Sequence, residues 1–288
     1  PVSVPAESIN TANGATDWTK GRKSDKVGRV LELVSEGKNN QYAFVVDATY
    51  RYFKDGEISL SYTWNDTKDN VSYNGNVANS STLYYYVPGD PRDLSHMTYS
   101  DNQFRHKLVL YGTLPTFWGI NVGLRMSGFA GTRYSLCVNG NVNGDFVSTN
   151  DLAYVYDPNS PSTPEYIREG INAILDNPEV SGSMKSYLRK SFGKVAERNG
   201  GVNGFYGVLD LHVGKEFKIY KKQKLSLSVD IFNVANLLNK KWGVGKNLSK
   251  IYLYNVKGFD AAKKEFVYSV NTNAGIPAGN GNPYQFQI

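Results

Sequence analysis

The sequence predicts an all-β protein: a segment of an antiparallel transmembrane β-barrel of about eight strands, with long loops gathered at one end. Three observations predict it. Stretches of about ten residues alternate apolar and polar side chains and are bounded by Gly, Asn, Asp or Pro. Short and long connections alternate along the chain, which sends the long ones to the same end of the sheet. Aromatic residues cluster near strand ends (Tyr50, Tyr52, Phe53; Phe117, Trp118; Phe217, Tyr220), as they do where strands cross a lipid–water boundary.

Taken in order, a first strand is expected near residues 28 to 36, followed by a short connection at Asn39 and Asn40. In residues 42 to 53, Tyr42, Phe44, Val46, Ala48, Tyr50 and Tyr52 share one face, opposite Asp47, Thr49 and Arg51. After the turn at Lys54 to Gly56, Ile58, Leu60, Tyr62 and Trp64 alternate with serines and Thr63. The pattern returns at Phe104 to Tyr111, Ile120 to Ser127, Leu209 to Val213 and Leu225 to Ile231, and in a last strand at 283 to 288. Connections at Pro115 to Trp118 and Tyr220 to Gln223 are short, whereas 67 to 102, 132 to 203 and 238 to 281 are long. The loop at 132 to 203 is expected to be partly helical. Thr163 and Pro164 form a helix start followed by Ile167, Ile171 and Ile174, and a second helix is expected over Met184 to Phe192.

Composition narrows the class. With 21 Tyr, 13 Phe and 4 Trp the chain is aromatic-rich, yet its mean hydropathy is −0.43, unlike a bundle of membrane-spanning helices. Barrel strands average out as hydrophilic because each carries a polar face. The net charge of +6 is spread without a basic helix or an RNA-binding aromatic motif, so no nucleic-acid partner is expected. Cys137 is the single cysteine, which excludes an internal disulfide. His96, His106 and His212 form neither a triad spacing nor a metal-binding pair, so no enzymatic activity is expected. Since the sequence starts at Pro1 without an initiator Met or an apolar leader, more sequence is expected upstream. A water-soluble β-sandwich alternates in the same way and is the competing fold.

Five stretches resemble the TonB-dependent outer-membrane receptors of Bacteroidetes, in particular the Oar-like branch. They are SYTWNDTKDNVSY (61 to 73), VNGDFVSTNDLAYV (142 to 155), GKVAERNGG (193 to 201) with VLDLHVGKEF after it, LSLSVDIFNVANLLNKKWG (225 to 243) and the ending YQFQI. The resemblance implies a barrel of roughly 22 strands with a plug and a TonB-binding segment in its N-terminal part. Residues 1–288 are then the C-terminal part of the barrel, with 132–203 as a long extracellular loop. The implied function is transport of a large solute across the bacterial outer membrane, with partners in the membrane lipid, the rest of the barrel and plug, and TonB. The alternative is a small autonomous barrel acting as an adhesin or passive pore.

On this reading Asp47, Arg51, Arg105, Lys107, Arg125, Asp210 and Asp230 line a wet lumen. Tyr84, Tyr85 and Tyr86 offer rigid aromatic area to a ligand in a loop, or pack as a girdle or loop core. Asn141, Asn143, Asp145 and Asp151 put oxygen atoms at alternate positions of a tight loop, as a Ca²⁺ ion requires. The same residue types also make an Asx-rich turn capped by its own side chains.

Overall fold

The computed structural model describes residues 4–17, 24, 26–27, 30, 32–72, 77, 85–86, 88–90, 93–248, 250–279 and 285–287. Its main element is an antiparallel meander of β1 (Asn39–Tyr52), β2 (Gly56–Asp69), β3 (His106–Thr113), β4 (Ile120–Phe129), β6 (Tyr206–Tyr220), β7 (Gln223–Phe232) and β10 (Gln285–Gln287). The short strand Thr98–Tyr99 adds to the end of β2. β5 (Arg133–Asn139), β8 (Lys250–Asp260) and β9 (Glu265–Val270) lie in the long connections, as do α1 (Glu165–Asp176), α2 (Gly182–Lys190) and α3 (Val234–Leu238). No helix among the described residues is long and apolar enough to cross a membrane.

Register explains the alternation. One apolar row runs from the first strand to the last through Tyr50, Ile58, Gly112, Leu124, Leu211, Ile231 and Phe286. A parallel row joins Ala48, Leu60, Leu110, Met126 and Leu209. The intervening row holds Thr49, Ser59, Tyr111, Arg125 and Asp210 on the opposite face. A slip of one residue would exchange the two faces, so the hydrophobic pattern holds every pair in place.

Neither face of β1 is covered. Phe44 is 61% exposed and its neighbour Val45, on the other face, 53%. A sandwich buries one face of each sheet against the other, and among the described residues no second sheet packs on β1. The sheet is also open, since among the described residues β1 pairs only with β2 and β10 only with β7.

The short turns lie together at one end. Asp55, in the β1–β2 turn, accepts a 3.0 Å bond from the N–H of Thr116 in the β3–β4 turn. The Thr116 side chain, together with that bond, holds the Asp55 carboxyl below its ordinary range. The long connections meet at the opposite end and fold into a unit with its own core. There β5 pairs in parallel with β8, β8 pairs with β9, and Gly201–Val202 pairs with β5. α1 presents Ile167, Ile171 and Ile174 to this sheet, and α2 adds Met184, Tyr187 and Leu188 around Leu136 and Leu253. The hydrophobic core of the described chain therefore sits in its loops.

Several expectations need correction. Residues 30 and 32–36 have no strand structure, while 28, 29 and 31 lie outside the described residues. Among the described residues the sheet begins at Asn39, so Asn39 and Asn40 open β1 and make no turn. α2 starts at Gly182, two residues before Met184, because the Ser181 side chain accepts the Met184 N–H and caps it. The final strand is described over Gln285–Gln287, with 283, 284 and 288 outside the described residues.

Candidate functional site

Two regions carry polar chemistry: the hydrophilic face of the sheet and the junction where the long connections meet it. On the sheet, register puts Asp47, Arg51, Lys107, Arg125, Asp210 and Asp230 on one face, opposite the apolar rows. Arg51 Nε meets Glu57 at 2.7 Å across the β1–β2 hairpin. His212 Nδ1 lies 2.7 Å from Asp230, and Arg125 stands directly opposite Asp210. Asp210 also accepts a 2.9 Å bond from the Asn233 N–H, which fixes the exit from β7. The face thus alternates positive and negative groups instead of presenting one sign.

Arg105 departs from the expectation. It precedes β3, and its guanidinium turns to Asp66 at 2.5 Å and to the Tyr99 hydroxyl at 3.3 Å. Asp66 has the parity of the apolar rows, so Arg105 belongs to the rim of the sheet and not to the row of polar-face residues. Lys68 and Arg133 approach the same Tyr99 ring, Arg133 with its Cζ 3.7 Å from the ring centre.

The junction is organised by Arg198. Its Nη2 reaches Asp69 Oδ1 at 2.5 Å and the Asp69 carbonyl at 2.6 Å, its Nε donates to Thr98 and its Nη1 to Ser72. Next to it Asn199, at φ 59°, donates to the Tyr99 carbonyl and to Asp101. Gly200 and Gly201 follow because there is no room for more: a Cβ would sit 2.4 Å from the Tyr187 ring and 2.2 Å from the Tyr134 ring respectively. Sequence reasoning did not single out Asp69 or Arg198. The available signal was their presence in two of the stretches quoted above, 61 to 73 and 193 to 201.

Of the aromatic run, Tyr84 lies outside the described residues. The Tyr85 hydroxyl donates to the Asn70 carbonyl, and its ring lies 5.6 Å from the Arg198 guanidinium. Tyr86 stacks under Lys250 at 5.1 Å, and burial pushes its phenol well above the ordinary range. Both rings are half-buried in the junction, where they pack the loops together.

The side-chain oxygens of the 141–151 loop cap its own backbone. Asn141 accepts the Gly144 N–H, Asn143 the Asp145 N–H, Asp145 the Val147 N–H, and Asp151 the N–H groups of Val142 and Asn143. Among the described residues no group of three or more His, Cys, Asp or Glu side chains forms a metal cluster.

Compared with known proteins, the chain matches no protein-family model and no curated protein.

Proposed function

We propose that this chain forms part of an outer-membrane β-barrel that moves a large solute, in the manner of the TonB-dependent receptors its five stretches resemble. The observation that carries this reading is the bare single-layer sheet, apolar on one face and hydrophilic on the other, with its compact unit at the long-loop end. An apolar sheet face left uncovered in water would cost about 25 cal/mol per Å², and lipid removes that cost. The opposite face, with its paired charges, suits a water-filled interior. The open edges at β1 and β10 favour a larger barrel over a closed autonomous one, because strands in lipid leave no backbone group unpaired. In this reading the junction at Arg198 holds the loops that meet the solute, while further strands, a plug and TonB supply the rest.

The test is extraction of native membranes. The protein should stay in the pellet through salt and alkaline carbonate and leave only with detergent. Release by carbonate alone would sink the membrane reading.

A further inference from the structure

Two buried oxygen atoms in the 141–151 loop have no hydrogen-bond partner: Asp151 Oδ1 and Asn150 Oδ1. Asp151 is 2% exposed and Asn150 fully buried. Both side chains are bonded through their other polar atom to the 142–145 segment. Asn150 Nδ2 donates to Asp145 Oδ2 at 2.7 Å, so the amide that carries the orphan oxygen sits against the Asp145 carboxylate. Asp151 uses its other oxygen, Oδ2, for the N–H groups of Val142 and Asn143, at 2.6 and 3.4 Å. Among the described residues, no Lys or Arg pairs with Asp145 or Asp151.

A buried carboxylate without a counter-charge takes up a proton or a cation.

We propose that the loop binds a calcium ion through Asn141, Asn143, Asp145 and Asp151, with Asn150 as a further oxygen donor. The donors are all oxygens, which selects a hard cation over zinc or copper. Asn141, Asn143 and Asp145 stand at alternate positions, and each side-chain Oδ1 accepts a single backbone N–H, leaving a lone pair for a metal. Phe146 follows at φ 66°, the left-handed conformation for which an EF-hand loop keeps a glycine just after its third ligand. Magnesium demands a near-octahedral shell and keeps its waters, whereas calcium accepts six to eight irregular oxygens. With two carboxylates in the set, the affinity falls in the weak class of extracellular modules, roughly 10⁻⁴ to 10⁻³ M.

The ion would couple three parts of the chain. Asn141 also donates to Thr16 and Asn143 to the Gly89 carbonyl, so ordering this loop orders its contacts with both. The inference does not depend on the membrane reading.

The experiment uses the full chain in detergent, stripped with a chelator and titrated calorimetrically with CaCl₂ and with MgCl₂ at pH 7.5, alongside melting curves with each salt. About one calcium ion per chain is expected, bound at least about tenfold more tightly than magnesium. Calcium should raise the melting midpoint. Asp151→Asn and Asp145→Asn should each weaken calcium binding by about tenfold or more and abolish the rise, whereas Glu165→Gln, outside the loop, changes neither. Should both variants fail to fold, protection of the loop from hydrogen exchange by calcium in the unaltered chain carries the same test. No calcium response in the unaltered chain up to about 10 mM, ten times the weak limit of that class, would overturn the proposal. Binding that survives Asp151→Asn unchanged would do so as well.

Discussion

Arg198 and Asp69, 129 residues apart in sequence, form a buried ion pair at 2.5 Å, 4% and 2% exposed respectively. It ties the end of β2 to the segment between α2 and β6. Because three further acceptors surround the guanidinium, its desolvation is compensated within the site. Removing one partner leaves a buried charge with nothing opposite it, at a cost of about 3 to 5 kcal/mol. Asp69→Ala and Arg198→Ala should therefore each destabilise the loop unit strongly. The double substitution to apolar residues of similar size should cost clearly less than the sum. A double-mutant cycle on thermal unfolding measures this, and strict additivity would show that the two side chains do not interact.

The faces of the sheet make a second expectation. Leu209, Leu211, Leu227 and Val229 share the apolar face, while Ser226 and Ser228 lie on the other. Arginine at any of the first four should reduce folding stability in bilayers by roughly 2 to 4 kcal/mol, and arginine at either serine far less. Equal losses on both faces in a folding titration would contradict a lipid-facing assignment.

Cys137 has no exposed surface, and burial pushes its thiol up to about 12. The thiolate is the reactive form, so an impermeant maleimide at pH 8 should leave Cys137 unlabelled in the folded chain and label it after denaturation. Rapid labelling of the native protein would mean that the loop unit opens or packs differently.

That inert thiol makes topology measurable with single introduced cysteines. Positions 56, 115 and 222 lie at or beside the short turns, and 169 and 190 on exposed helix surface in the long-loop unit. Gly170 is a poor probe, because a Cβ there would come 2.5 Å from Val270. On whole cells, positions 169 and 190 should react and the turn positions should not. The reverse pattern would invert the orientation.

Edges supply the last expectation. β1 spans Asn39–Tyr52 with one neighbour, which leaves its other row of N–H and C=O groups unpaired among the described residues. Expressed alone, residues 1 to 288 should give no compact, heat-modifiable band on gels. Such a band would show that the chain closes on itself and would favour the autonomous barrel.

The two-faced sheet was legible from the sequence because its signal is local. Tyr42 to Tyr52 and Leu225 to Ile231 announce their own period of two, and short turns such as 53–55 announce which strands are neighbours. The 141–151 loop was legible as a spacing of side-chain oxygens, although its orphan atoms were not. The N-terminal end misled: residues 30 and 32–36 carry apolar side chains but join no ladder among the described residues, and only the pairing partners reveal that.

What the residues could not announce was the content of the long connections. β5 reads as loop in the sequence because it has no hairpin partner beside it; it becomes a strand through parallel pairing with β8, more than a hundred residues further on, whereas β8 also forms a hairpin with β9 that the alternation did not announce. The same holds for Arg198, whose meaning depends on Asp69 arriving from the other side of two hairpins. Alternation belongs to a segment and can be read there. Burial and ion pairing belong to whichever segments meet, and chain topology decides that meeting.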